Sequence, residues 1–315
     1  MTELAPQELR VLVAVAEAGG FSAAAHRLGI TQSAVSHSVR GSEAKVGAVL
    51  FDRGRAGASP TPAGERAVAL GRRILRLYEV LGAEARAAGR AAAGPGTAEG
   101  VLRIAAFRSA ALHLLPPALE RLAARHPGIR PEIRVVRELG PGTAGEVAAG
   151  RADLAIATLS GPASRPLSGP LSGPPSGPPS GLPDGLPDGL LSGELTREAY
   201  SLVHPAGHPD PKALPLLDWD ENCGSYTRDW WRAQDWIPRA TVKAEDDAMV
   251  LTMVGRGLGM AILPELSLRE ATDAVEIAGL GPQGPVRRVG YVTTAELAST
   301  LAVRALIREL RAERG

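Results

Sequence analysis

Apolar residues near the start of the chain recur with helical spacing in two short blocks. Leu9, Leu12, Val13 and Ala16 stand at i, i+3, i+4 and i+7, and Phe21, Ala24, Ala25 and Leu28 repeat that spacing one element later. The pattern predicts two short amphipathic helices broken at Gly19-Gly20, with Ser22 as N-cap of the second and Gly29 closing it in a tight turn. Ile30 precedes Thr31, a predicted N-cap, and can pack on Val35 as a hydrophobic staple. The third helix that follows has two unlike sides. Gln32, Ser33, Ser36, His37 and Arg40 share one face, and Val35 and Val39 the other. A helix of this size fits a B-DNA major groove, where Gln and Arg hydrogen-bond adenine or guanine edges and Ser and His reach bases or phosphates. A solvated face on a small helical bundle would produce the same stripe.

Leu50-Phe51, a glycine-rich turn carrying Arg53 and Arg55, and Thr61-Pro62 read as a strand, a wing and a new helix start, with Thr61 as N-cap and Pro62 at the first helical position. Within the new helix Ala67, Leu70, Ile74, Leu77 and Leu81 alternate spacings of three and four, the seam of a coiled coil. From Pro62 to about Ala93 it would run ~48 Å at ~1.5 Å per residue, longer than one small domain needs to cover its core. Dimerisation through Leu70, Ile74, Leu77 and Leu81 explains that length.

Composition narrows the class. The 315 residues carry a prior of two domains, and 44% apolar residues are enough to bury real cores. A single cysteine, Cys223, rules out an intrachain disulfide and a thiolate-rich zinc site. The opening MTELAPQELR lacks an apolar core region, and no stretch approaches the roughly 18 apolar residues of a membrane span, so the expectation is a cytoplasmic protein with no membrane partner. The net charge of +1 hides an asymmetry: residues 1–93 hold 12 Lys and Arg against 8 Asp and Glu, which leaves a net −3 on the remaining 222. The basic end is the one suited to nucleic acid.

Taken together, Leu9 to Glu65 resembles the winged helix-turn-helix of the LysR-type transcriptional regulators. The residues that carry the likeness are Phe21-Ser22, Ala24-Ala25, Leu28, Thr31-Gln32-Ser33-Ala34-Val35-Ser36, Glu43, Gly47, Leu50-Phe51 with Arg53, and Thr61-Pro62-Ala63-Gly64. Three positions depart from the family pattern. Gly41 and Ser42 stand where a basic residue and a leucine are usual, and Pro60 stands at an apolar position. Gly41 costs about 1 kcal/mol of helix propensity relative to alanine, so the third helix is expected to fray beyond Arg40. Pro60 should keep the second wing strand short.

After residue 94 strand and helix alternate, which implies parallel pairing through crossover helices. "VLRIAAF", "RPEIRVVREL", "DLAIATL", "EAYSLVHP", "RATVKAE" and "LGMAILP" read as strands, and "LHLLPPALERLAARHP", "TAGEVAAG", "DDAMVLTMVGRG" and "AELASTLAVRALIRELRAE" as helices. This part resembles the two-lobed effector domain of the same family, with "GRADLAI" and "VGRGLGMAILP" as its signatures. The implied fold is an N-terminal all-α winged helix-turn-helix plus linker helix and a C-terminal α/β two-lobed periplasmic-binding-protein-like domain. The expected boundaries are 1–61 for the DNA-binding domain, 62–93 for the linker and dimerisation helix, and 94–315 for the effector-binding domain. Lobe I would take about 94–158 and 265–315, lobe II about 195–264. Residues 159–194 form a tetrapeptide repeat of the kind LSGP and PDGL, where neither helix nor strand is expected, and read as an expanded surface loop.

The resemblance implies a regulator that reads a double-stranded DNA operator as a homodimer or homotetramer and senses an unknown small-molecule effector between the lobes. Its DNA-binding residues would be Ser22, Thr31, Gln32, Ser33, Ser36, His37, Arg40, Arg53 and Arg55. Ser225, Tyr226 and Thr227 precede a predicted helix near Asp229, Ser109 stands before the first-lobe helix, and Thr158 ends a strand, so these five are the expected lining of the effector cleft. Trp219, Tyr226, Trp230, Trp231 and Trp236 crowd into one stretch of lobe II, chiefly as core. Other chemistry finds little support. Gly279, Gly281 and Gly284 match the dinucleotide spacing, but Pro282 and Pro285 forbid the helix it needs, leaving a turn between strands. His204 and His208 are separated by Pro205 and cannot share a helix face as zinc ligands. No enzymatic activity, cofactor or metal is expected. The competing reading is a solute-binding or catalytic protein whose N-terminal helices only oligomerise.

Overall fold

The computed structural model describes residues 3–54, 57–91, 98–159, 189–221, 230–231 and 233–312. Three helices open the chain: α1 (Pro6–Ala18), α2 (Phe21–Leu28) and α3 (Gln32–Val46). Their apolar stripes meet in one core, where Leu12, Val15, Ala24, Val35, Val39, Leu50 and Phe51 are almost wholly buried. The strands β1 (Phe51–Gly54) and β2 (Gly57–Pro60) form the two-stranded antiparallel wing, with Pro60 at its end opposite Phe51. Two local expectations need correction. Gly20, not Ser22, is the N-cap of α2, and Ser22 lies inside its first turn. Helix α3 does not fray at Arg40 but continues to Val46, where Gly47 closes it in the left-handed conformation. Ser42 compensates for its small size: it is fully buried and its Oγ donates to the Ser38 carbonyl at 2.9 Å. The tail of α3 is tied further by Lys45 Nζ, 2.7 Å from Glu8 of α1, and by Glu43 Oε1, which accepts the Leu50 N–H.

Helix α4 (Pro62–Ala91) follows, capped by Thr61, whose Oγ1 accepts the Gly64 N–H and donates to the Val49 carbonyl. At 30 residues it is ~45 Å long. Its start is pressed onto the wing: a Cβ added at Gly64 would lie 1.9 Å from the Leu50 carbonyl oxygen, so only glycine fits there.

The remainder is an α/β body built from β3 (Glu99–Ala106), α5 (Arg108–His113), α6 (Leu115–Arg125), β4 (Gly128–Val135), α7 (Gly142–Ala148) and β5 (Leu154–Thr158). It continues through β6 (Leu190–Pro205), β7 (Leu216–Trp219), β8 (Ala240–Ala244), α8 (Asp247–Gly255), β9 (Ala261–Pro264) and α9 (Glu265–Leu268). The last elements are β10 (Val275–Gly279), β11 (Val286–Thr294), α10 (Ala295–Ala298) and α11 (Leu301–Arg311). The main sheet runs β10-β6-β11-β5-β3-β4, with β9 also on β6. Strand β3 pairs in parallel with β4 and β5, as crossover helices require, and β11 is antiparallel to β5 and β6. Central β5 is apolar and buried for most of its length, as a strand covered on both faces must be.

Strand β6 joins the lobes. Leu190–Ala199 pair with β11 in lobe I, and Tyr200–Pro205 pair with β9 and β10 in lobe II. The return passes between β10 and β11, so the strand pairing puts it after Gly279 rather than at the expected residue 265. The end of the repeat segment also differs from expectation: Leu190–Glu194 are strand residues and Leu159 is buried, while 160–188 lie outside the described residues. Two expected helices are each split in two. Pro116 and Pro117 supply no N–H donors, which separates α5 from α6. The terminal helix breaks at Ser299-Thr300, where both hydroxyls donate to nearby carbonyls in place of the backbone ladder. No described helix is long and apolar enough to cross a membrane.

Gly64→Ala should force α4 away from the wing, an overpacking that costs about 1–3 kcal/mol. Calorimetry of the intact protein should show the N-terminal transition moving to lower temperature; an unmoved transition would contradict the close approach described here.

Candidate nucleic-acid interface and inter-lobe cleft

The face of α3 is built by its start and by its back. Thr31 Oγ1 accepts the Ala34 N–H at 3.2 Å, which fixes the first turn, and Val35 and Val39 anchor the opposite side at zero exposure. Gln32, Ser33, His37 and Arg40 are exposed together with Thr31. Ser36, expected among them, is not: it is buried, and its Oγ accepts from Arg40 Nη2 at 3.1 Å while its carbonyl accepts from Arg40 Nε. The reason is geometric, since Ser36 follows Val35 at the margin of the buried face and is covered by the Arg40 side chain four residues on. Ser22 is exposed near the start of α2. Arg53 lies in β1 opposite Ala58, and Arg55 lies outside the described residues.

Helix α4 divides the expected dimer seam. Leu70, Ile74 and Leu81 are 43–65% exposed, and Tyr78 joins them on the same face. Leu77 turns the other way: with Val80 it packs against the lobe I core around Leu102, Leu115 and Leu306. A spacing of three from Ile74 to Leu77 satisfies a heptad, but the position also satisfies the seat of the effector domain.

Between the lobes, arginines of lobe I face carboxylates of lobe II. From lobe I come Arg108 and Ser109 of α5, Arg137 and Glu138 beyond β4, Thr158 at the end of β5, and Arg287 of β11. Lobe II supplies Trp219, Asp220, Glu221, Asp246 and Asp247. Arg108 Nη1 lies 3.2 Å from Asp247 and 2.9 Å from Glu270, and Arg137 reaches Asp220 at 2.8 Å and Glu221 at 3.4 Å. The Glu138 N–H donates to Glu221 Oε2 at 3.1 Å. Asp247 also accepts the hydroxyl of Ser267. Deeper in, Arg287 Nε meets Glu198 at 2.5 Å and its guanidinium stacks 4.6 Å from the centre of the Phe107 ring. A recess among Phe107, Arg108, Ser109, Trp219, Glu221, Asp246, Asp247 and Arg287 lies between these walls.

Of the five expected lining residues, Ser109 and Thr158 can be placed. Ser109 is buried within α5 and accepts a 3.5 Å contact from Arg287 Nη2. The Thr158 N–H donates to Glu138. Ser225, Tyr226 and Thr227 lie outside the described residues. Burial pushes the Glu138 carboxyl above its usual range, although the Thr143 hydroxyl and the Thr143 and Thr158 amides all donate to it. Burial raises Glu221 in the same way. Sequence reasoning overlooked Arg108, Glu138, Glu198, Glu221, Asp247 and Arg287, because single charged residues in separate segments carry no local pattern. Trp219 is buried, and Trp230, Trp231 and Trp236 pack on the lobe II core beside Leu216, Met260 and Ile262. His204 is buried in β6, with Nδ1 3.0 Å from the Pro205 carbonyl oxygen, and residues 280–285 form the turn between β10 and β11.

Comparison with known proteins gives two family matches. Residues 6–65 match the bacterial regulatory helix-turn-helix proteins of the lysR family, and 95–171 with 177–315 match the LysR substrate binding domain. The chain is 32% identical over 307 residues to a probable HTH-type transcriptional regulator, LrrA, of Synechococcus elongatus, covering 94% of this chain and 92% of that one. Among solved structures, full-length CbnR in complex with its target DNA superimposes with a TM-score of 0.61 at 18% identity, covering 98% of this chain and 99% of that one. LysG of Corynebacterium glutamicum with bound effector Arg gives 0.63 at 21% identity, with the same coverage. These two likenesses establish the shared fold.

Because burial raises Glu138, the folded state holds its proton more tightly than the unfolded chain, so stability falls as pH rises from the ordinary carboxylate range through the raised value. Glu138→Gln keeps an acceptor for Thr143 and removes the charge. The variant should lose less stability than the wild type between pH 5 and 8 in denaturant titrations; parallel curves would show that Glu138 is not held protonated by burial.

Proposed function

The chain belongs to the LysR family of bacterial regulatory helix-turn-helix proteins, and from that membership we propose how its own residues serve a transcriptional regulator. It is a LysR-type transcriptional regulator with a DNA-binding head and an effector-binding domain. Family membership sets aside the competing reading of a solute-binding or catalytic protein whose N-terminal helices only oligomerise. The observation that carries the residue-level reading is the split of α3, with Val35 and Val39 fully buried and Gln32, Ser33, His37 and Arg40 exposed beside the wing. Gln32 and Arg40 are the base readers, because their side chains can make bidentate bonds to adenine and guanine edges. Thr31, Ser33 and His37 flank them, Ser22 and the wing arginines Arg53 and Arg55 meet phosphates, and Ser36 acts only by holding Arg40.

The effector is a small polar molecule bound where Arg108, Ser109 and Thr158 of lobe I face Glu221 and Asp247 of lobe II, with Ser225, Tyr226 and Thr227 completing the wall. Apolar Leu70, Ile74, Tyr78 and Leu81 pair with the same face of a second copy, and the protein works in the cytoplasm without catalysing a reaction. The boundaries read as head to residue 61, linker 62–93 and effector domain beyond.

Wild-type protein should retard operator DNA taken from its own upstream region, and the shift should weaken steeply as salt rises. Gln32→Ala and Arg40→Ala should each cost about 1–3 kcal/mol of specific binding with unchanged circular dichroism. No shift at low salt, or unchanged affinity in both variants, would remove α3 from the interface.

Ile74→Arg puts a charge into the apolar face of α4 without touching the effector domain. Sedimentation should show the variant dissociating at micromolar concentration, whereas a dimer that persists would place the main contact elsewhere.

A further inference from the structure

Arg76 lies on the side of α4 that faces the effector domain, and its side chain is 11% exposed. Its Nε and Nη2 donate to the two carboxylate oxygens of Asp153 at 2.7 and 2.8 Å, and Nη2 also donates to the Val101 carbonyl of β3 at 2.6 Å. Asp153 is 1% exposed and immediately precedes β5; it accepts the Arg103 N–H at 2.8 Å, and its own carbonyl accepts the Thr293 hydroxyl of β11. Arg76 of α4 is thus bonded to β3 directly and, through Asp153, to the start of β5 and to β11.

The seat around this pair admits no slack. Gly150, at φ +70°, approaches α4 so closely that an added Cβ would lie 2.8 Å from the Arg72 Cβ and 3.1 Å from the Ala69 carbonyl oxygen. Leu77 and Val80 pack on the lobe I core, Arg73 reaches Glu296, and Glu84 accepts the Leu301 N–H. Strand β5 then leads away from Asp153, and its far end, Thr158, donates to Glu138, whose own N–H is bonded to Glu221 of lobe II. The same five-residue strand therefore touches the helix that carries the DNA head at one end and the inter-lobe cleft at the other.

We propose that the Arg76–Asp153 ion pair is the joint through which the effector domain fixes the direction of α4, and with it the spacing of the half-sites read by paired heads. Both are positioning residues, since neither touches DNA nor the cleft. The inference rests on the DNA-reading conclusion above and adds where its control is applied. A forked guanidinium–carboxylate pair suits this role because it resists rotation as well as separation, which a single apolar contact does not.

The test is selection of binding sites from a random-sequence duplex library by the full-length protein. Wild type should select two copies of a half-site at a narrow spacing. Asp153→Asn keeps an acceptor for Arg103, and Arg76→Met breaks the joint from the helix side. Both should select the same half-site sequence while the share of sites at other spacings rises ~3-fold or more, the size expected of a coupling residue. Arg76→Lys keeps the charge without the fork and should fall between. A purely structural role would lower melting temperature and reduce binding at every spacing alike, and that result, or an unchanged distribution in both variants, overturns the proposal. A wild-type protein that selects no sequence overturns the DNA-reading conclusion and this inference with it, whereas a change confined to spacing leaves that conclusion standing.

Discussion

A single helix must hold two folded bodies and still keep one apolar face free, and the rest of the architecture follows from how α4 divides its circumference. Its first turns belong to the head: Val68 is buried there, and Gly71 lies against Leu9 and Val13 of α1. Its middle turns belong to the effector domain through Arg73, Arg76, Leu77 and Val80. What is left is the arc of Leu70, Ile74, Tyr78 and Leu81. Fully burying a large apolar side chain is worth about 1.5–3 kcal/mol, so four of them in a row are a substantial drive toward a second copy. The helix itself contributes little stiffness, since Gly64, Gly71, Gly82 and Gly89 each lower its propensity.

The two lobes are held by charge rather than by a continuous core. Arginines of lobe I meet carboxylates of lobe II, and the carboxylates outnumber them. Burial raises Glu138 and Glu221, and the nearby Asp247 adds a lesser push at Glu221. The ion pairs hold the walls together, while burial works against the charged forms of the Glu138 and Glu221 carboxyls. On the proposed reading, an effector bound there would shift the lobes only by its differential affinity for two arrangements. Lobe I, by contrast, keeps its internal ion pairs fully committed: the buried Glu309 carboxylate is met by Arg121, Arg125 and Arg308. Burial opposes the charge of Glu309, yet the bonds from Arg125 and Arg308 hold its carboxyl below the usual range.

How much of this was legible in the sequence depends on the range of the interaction. The helices of the head were readable because the spacing of Leu9, Leu12, Val13 and Ala16 is itself the packing surface, and the same holds for Val303, Leu306 and Leu310 in α11. The long linker was readable from Thr61-Pro62 and its apolar repeat. Leu77 was misassigned because periodicity states that a position is buried, not against what. The fraying expected at Gly41 failed because propensity omits the Ser42 hydroxyl bond and the Glu8–Lys45 contact, neither of which is visible as a pattern. The cleft was the least legible part. Arg108, Glu138, Glu221, Asp247 and Arg287 come from five separate segments, and only the crossing of β6 and β11 between the lobes brings them within reach.

Arg40, proposed above as a base reader, is both ordered and exposed. Its side chain is folded back along α3, with bonds of 3.1 and 3.3 Å to Ser36. Each such bond nets about 0.5–1.5 kcal/mol at best, and these are long and reach an exposed side chain. A bidentate guanine contact is worth about 1–3 kcal/mol of discrimination, and it is reinforced by the phosphate field around it. On the proposed reading, the exchange from Ser36 to a base edge would run downhill, and the stored rotamer would reduce the entropy lost when the side chain is ordered on DNA. Burying Ser36 beneath Arg40 removes one hydroxyl from the exposed face of α3 and uses it to hold the guanidinium that stays there.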